Sequence, residues 1–242
     1  MTRETKTLES AYILHRRPWS ETSLTVSFFT KTEGLINCLA KGARRPKSPL
    51  RGALHPFTRV EISYTGASTA SLKTLTDVQI LNCAPQYKGM ALMSALYINE
   101  LLFKLLPTAD MSVGVMFEMY EQTLERFKQD SDHRWALREF EMTLLDQMGF
   151  GLDFTHDMHN LKLNPQALYS FDIEEGIVKI AHYAGDNPQE GIPGEVILAL
   201  GDSRFEEKHL GYARRLLQKA LHFHLGHMTS TSHRTLQKLK QE

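Results

Sequence analysis

The chain has 242 residues, 42% of them hydrophobic and 23% charged, enough apolar material for a sizeable core and too much for a disordered protein. Its formal net charge is zero and it holds two cysteines, Cys38 and Cys83, which leaves neither a disulfide framework nor a cysteine zinc site to build. No 18-residue apolar run occurs and "MTRETKTLES" lacks the apolar centre of a signal peptide, so a cytoplasmic protein with no membrane association is expected.

The zero is a cancellation. Residues 1–88 carry 13 Lys/Arg against 6 Asp/Glu, residues 89–160 carry 5 against 12, and residues 161–242 carry 10 against 10. Lys208 to Gln241 alone holds seven Lys/Arg and no carboxylate. Two basic regions therefore flank an acidic middle.

From Ser10 five short runs follow one another: "SAYILHRRP", "SLTVSFFT", "GLINCLAKG", "FTRVEISYTG" and "ASLKTLTDVQIL". Each is rich in β-branched or aromatic residues and bounded by Pro, Gly, Ser or Thr. In "TRVEISYT", Val60, Ile62 and Tyr64 alternate with Arg59, Glu61 and Ser63, the period of a half-buried strand. "KTEG" predicts a tight turn with Gly34 at positive φ. Five such strands predict a small closed antiparallel barrel, since closure removes sheet edges.

The connection between the third and fourth strands, "AKGARRPKSPLRGALHPF", is basic. From Gly34 to Val60, Lys41, Arg44, Arg45, Lys47, Arg51 and Arg59 meet no acid after Gly34. Uncompensated like charges repel, and a polyanion relieves them. A solvated loop is the bland alternative; position on a small barrel favours nucleic acid, because such barrels pair basic grooves with stacking aromatics. Tyr12, His15, Trp19, Phe28 and Phe57 are the candidate stackers, about half of which should serve the core instead.

From Gly89 the apolar period becomes helical. "GMALMSALYINELLFKLLP" spaces Leu92, Ala95, Leu96, Ile98, Leu101, Leu102 and Leu105 for a helix buried on most sides and stopped by Pro107. Amphipathic helices follow in "SVGVMFEMYEQTLERFKQ" and "SDHRWALREFEMTLLDQMGF", with Ser131 as N-cap and Gly149 as C-cap. Met116, Met119, Met142 and Met148 are expected to fill core gaps. Further on, "ALYSFDIEEGIVKIAHYA" predicts a hairpin turning at Glu175-Gly176, then "PGEVILALGD" a short helix and "RFEEKHLGYARRLLQKALHFHLG" a long one. Arg214, Arg215 and Lys219 cluster on the long helix as a cationic patch.

Enzymatic constellations are missing. No phosphate-binding loop or dinucleotide fingerprint occurs, Glu174 and Glu175 should lie on opposite strand faces, and the serines of "PWSETS" lack a nucleophile-elbow context. His222, His224, His227 and His233, and the "THDMH" trio of His156, Asp157 and His159, do not make a complete ligand set. A metal-dependent hydrolase is thus a minor alternative.

Together "LHRRPWSETSL", "FFTKTEGLINCLAKGARRPKSPLRGALHPF", "LYINELL" and "ALREFEMTLLDQMGFGLDF" resemble the bacterial RecO family, most strongly over residues 10–156. The resemblance implies an α+β protein: an OB-type five-stranded barrel over 1–84, a helical domain over 85–156, and a C-terminal portion over 157–242 packed on the helical domain. It implies a non-enzymatic mediator that needs no cofactor, binds single- and double-stranded DNA at the nucleoid, anneals complementary strands, and works with RecR to load RecA onto strands coated by single-stranded-DNA-binding protein (SSB). Many relatives carry a four-cysteine zinc motif near the C-terminus; with no cysteine after Cys83 this chain should lack it.

On this resemblance Lys41, Arg44, Arg45, Lys47 and Arg51 are the first DNA-binding candidates, with Arg16 and Arg17 beside Trp19 next. SSB presents an acidic tail ending in apolar residues, so its dock should combine cations with an apolar pocket. In the acidic helical region Arg134 and Arg138, one turn apart beside Leu137 and Met142, are the candidates, against an alternative in which the arginines pair with nearby glutamates of the same helix. An RNA-binding adaptor is the alternative outside the mediator class.

Overall fold

A computed structural model describes residues 3–107, 111–129, 133–172, 174–180, 191–204 and 206–224. The fold is α+β. Five strands, β1 (Arg3–Pro18), β2 (Leu24–Thr30), β3 (Gly34–Ala40), β4 (Arg59–Ala67) and β5 (Lys73–Asn82), close a barrel in the order β1-β2-β3-β5-β4. Neighbours are antiparallel except β3 and β5, which pair in parallel only at Cys38↔Lys73 and Leu39↔Thr74. A short helix, α1 (Leu50–Ala53), lies in the β3–β4 connection.

Inward-facing Ala11, Ile13, Val26, Phe28, Val60 and Ile62 form the barrel core. Cys38 is also fully buried, and loss of solvation pushes its thiol up to about 12. The "KTEG" turn is observed: Gly34 takes φ +71°, and Thr30 Oγ1 donates to the Gly34 carbonyl at 3.0 Å. Beside it, burial works against ionisation of Glu33, yet hydrogen bonds from Tyr64 at 2.9 Å and from Lys6 hold its carboxyl below the usual range.

β1 starts seven residues earlier than its apolar pattern indicates. "RETKTLE" has no hydrophobic alternation, but Arg3 to Lys6 pair with Ala67 back to Tyr64 of β4. Bending this long strand between two neighbours takes two bulges, at Lys6/Glu9 against β4 and at Ile13/His15 against β2.

Helices α2 (Gly89–Leu105) and α3 (Val113–Arg126) belong with the barrel, and the chain divides into two compact units after His133. The barrel's outer face shows how these helices are held to it. Tyr12 and Phe29 project aromatic rings onto Phe117 and Tyr120 of α3, with centroids 5.1–5.9 Å apart. Behind them Asn99 Nδ2 of α2 donates to the Leu14 carbonyl at 2.9 Å, while Tyr120 Oη donates to Asn99 Oδ1 at 2.6 Å. Asn99→Ala leaves two buried polar groups without partners, and should lower stability by about 1–3 kcal/mol. The measurement is the urea midpoint at constant m; an unchanged midpoint would mean water replaces the amide.

The second unit contains α4 (His133–Gln147), a three-stranded sheet of order β7-β6-β8 built from β6 (Leu168–Asp172), β7 (Gly176–Lys179) and β8 (Ile192–Pro193), and helices α5 (Gly194–Gly201) and α6 (Leu210–His224). A single 3₁₀ turn, Glu207–His209, leads into α6. Gly149 ends α4 as expected: it takes φ +81°, its N–H donates to Asp146, and Phe150 N–H donates to Leu145. The proposed cap Ser131 lies outside the described residues. Glu174 and Glu175 sit in the turn between β6 and β7 rather than on a strand, both N–H groups donating to Asp172 Oδ1.

Candidate nucleic-acid interface

The β3–β4 connection is an ordered cap with its cations outward. Ala43 and Leu54 drop into the barrel core, with Leu50 of α1 packed against it. Gly42 at φ +70° starts a run of turns in which Arg45 N–H donates to Gly42, Ser48 N–H to Arg45 and Arg51 N–H to Ser48. Pro46 and Pro49 restrict φ between them. With the apolar residues committed inward, Lys41, Arg44, Arg45, Lys47 and Arg51 are all exposed.

Two of the proposed groups meet physically. Arg44 N–H donates to the Thr22 carbonyl at 2.9 Å and its guanidinium to the Ser20 carbonyl, tying the loop to the β1–β2 turn beside Trp19, which is 57% exposed. Arg16 Nη1 donates to the Leu54 carbonyl at 2.9 Å, tying β1 to the far end of the same loop. Arg17 is exposed on the next position of β1. None of these seven cations forms a carboxylate ion pair among the described residues. The arrangement therefore presents concentrated positive charge, with one large exposed ring, to any phosphate backbone.

Some expectations change. Arg59, counted with the loop's cations, pairs with Glu121 of α3, so its charge is spent holding helix to barrel. Tyr12, Phe28 and Phe57 are buried, leaving His15 and Trp19 as the exposed rings of that set. Burial and then the neighbouring Arg17 charge lower the pKa of His15. Phe103, omitted from the buried stripe of α2, is exposed and rests on His15. An apolar residue off a helix's buried stripe was the available signal.

On α4 the four candidates do not form one open site. Arg134, 47% exposed, makes a two-pronged contact with Glu207 at 2.7 and 2.9 Å. Arg138 is buried and donates to fully buried Glu141 at 3.0 Å; Leu137 is also buried. Met142 is half-buried and lines a cavity of about 540 Å³ with Leu145, Leu152, Phe154, Leu200 and Leu217. Pairing within the helix is therefore real for Arg138, at i,i+3, whereas Arg134 reaches a carboxylate outside its helix.

The α6 patch is partly occupied as well. Arg215 lies over the Tyr212 ring, 4.7 Å from its centroid, and Lys219 Nζ donates to the Phe171 carbonyl at 2.6 Å. In "THDMH", Asp157 Oδ1 accepts from the N–H groups of His159 and Leu161, shaping a turn, and His156 Nδ1 contacts Thr155. No group of three His, Cys, Asp or Glu positioned for a metal exists among the described residues, and no described helix is long and apolar enough to cross a membrane. His227 and His233 lie outside the described residues.

Comparison with known proteins divides the chain between the barrel and the first long helix. Residues 1–84 match the family model "Recombination protein O N terminal" and residues 87–233 match "Recombination protein O C terminal". The chain is 37% identical over 222 residues to DNA repair protein RecO of Cellvibrio japonicus, covering 88% of this chain and 91% of that one. It is 35% identical over 197 residues to the protein of that name from Alteromonas mediterranea, covering 81% and 82%. For the Xanthomonas campestris pv. campestris protein the figures are 33% over 198 residues and 81% of each chain.

Proposed function

The chain belongs to the recombination protein O family of DNA repair proteins, and from that premise we propose that it is a recombination mediator acting without a catalytic centre. It binds single- and double-stranded DNA, anneals complementary strands, and with RecR loads RecA onto SSB-coated strands at the nucleoid of the cytoplasm. The observation that carries this reading is the ordered cap of Lys41, Arg44, Arg45, Lys47 and Arg51, unpaired with carboxylates among the described residues. Annealing asks no group to form or break a covalent bond. It asks that phosphates of two strands be neutralised close together, which lowers the repulsion opposing base pairing.

The SSB tail docks on α4 in this reading. Its apolar end enters the cavity beside Met142, and its carboxylates compete with Glu207 for Arg134, an exposed and therefore weakly held pair. Arg138 and Leu137 support that helix from within.

Annealing of complementary oligonucleotides, bare and SSB-coated, tests both parts. Arg45→Glu/Lys47→Glu should slow annealing of bare strands by roughly tenfold or more at low salt. Arg134→Ala should act only on SSB-coated strands. Full activity of the loop variant would move DNA contact to another face, and equal behaviour of Arg134→Ala on coated strands would remove the tail from α4.

A further inference from the structure

The bulge in β1 has a second product. Ile13 faces Phe28 and His15 faces Ser27, so Leu14 is left without a partner across the β1–β2 ladder, and its carbonyl accepts Asn99 of α2. Asn99 thereby fixes how α2 lies along β1. One turn later Phe103 meets His15, with ring centroids 5.6 Å apart and planes tilted by 41°. Both rings reach solvent, Phe103 being 38% exposed.

A single exposed phenylalanine is ordinary. This one is held against a second ring by a helix that a buried hydrogen-bond network orients. It also lies in a charged setting: alternation along β1 puts His15 and Arg17 on one side of the strand, with Arg17 exposed, and exposed Trp19 follows at the β1–β2 turn. From there the β1–β2 turn leads through Ser20 to Arg44 and the basic loop. A strand bound by that loop has a run of exposed rings ahead of it, spaced by a cation. Unpaired bases offer π-faces to such rings, whereas those of a duplex are stacked inside the helix.

We infer that His15 and Phe103 form a base-stacking platform that carries single-stranded DNA from the basic loop past Trp19 and Arg17 onto α2. The inference rests on the DNA-binding reading and adds to it a preference for unpaired bases. Phosphate contacts at the loop are indifferent to base pairing; the platform is not.

The test compares binding of a fluorescent oligo-dT, an abasic strand of the same length and a blunt duplex, at several salt concentrations, by wild type, Phe103→Ala, Phe103→Trp and Arg45→Glu/Lys47→Glu. Phe103→Ala should weaken oligo-dT binding roughly tenfold, as expected when one base no longer stacks, while abasic and duplex binding and the salt slope stay as in wild type. Phe103→Trp should restore oligo-dT binding, which a variant damaged in folding would not. Equal weakening on abasic and base-bearing strands overturns the platform, as does unchanged oligo-dT binding by Phe103→Ala. If that unchanged binding accompanies a weakened loop variant, the platform alone fails. If wild type binds none of the three probes, the DNA-binding reading fails and takes the platform with it.

Discussion

Glu141→Ala is expected to destabilise the protein by about 3–5 kcal/mol, more than removal of an exposed pair such as Arg134–Glu207. Glu141 is fully buried on α4 and Arg138 is 4% exposed, with the two side chains 3.0 Å apart. Removing the carboxylate strands a guanidinium whose Nη1 already has no hydrogen-bond partner among the described residues. The cost comes from that uncompensated charge more than from the missing attraction, since taking both ions out of water offsets much of their mutual energy. A double replacement, Arg138→Met/Glu141→Leu, should therefore recover most of the stability that the single change removes. Urea unfolding of the three variants reads this directly. A decrease below about 1 kcal/mol for Glu141→Ala would mean that solvent reaches the guanidinium. Arg138 would then return as a solvent-facing cation for an acidic partner. The same reasoning makes Arg138→Ala a poor probe of tail binding, because it would weaken binding by weakening the fold.

How far the chain could be read in advance depended on where each side chain's partner lies. The β-branched and aromatic runs of β2 and β3 and the alternation in β4 are local signals, and the barrel and its basic loop followed from them. β1 before Ser10 is held by ladder bonds to β4, about sixty residues away, with no hydrophobic period to announce them. Charge counting failed in the same way. Arg59 belongs to a stretch free of acids, yet its carboxylate arrives from Glu121, 62 positions later. On α4 the arginines stood out because the region is acidic, but composition cannot say that Arg138 turns inward to Glu141 while Arg134 turns outward to Glu207. The His15–Phe103 stacking needed the bulge at Leu14, a one-residue irregularity that an alternating pattern conceals.

Neutralising Lys41, Arg45, Lys47 and Arg51 together should reduce the slope of log affinity for single strands against log salt by about 3, at about 0.7 for each phosphate that is no longer neutralised. Between 50 and 200 mM salt, wild type should then lose roughly fiftyfold more affinity than the variant, and the two curves should converge as salt rises. Arg44 is left in place because its backbone and guanidinium fasten the loop to Thr22 and Ser20. Changing it would mix removal of charge with disruption of loop geometry. Parallel curves for variant and wild type would show that the loop's charge is not what the phosphates meet. Stacking on Phe103 releases no counterions, so its removal lowers the curve without tilting it. Slope and offset thus separate the two surfaces in one titration. A protein that anneals strands can use that separation: the salt-sensitive loop accepts either strand or duplex, while the salt-insensitive platform holds only bases that have not yet paired and lets go when they do.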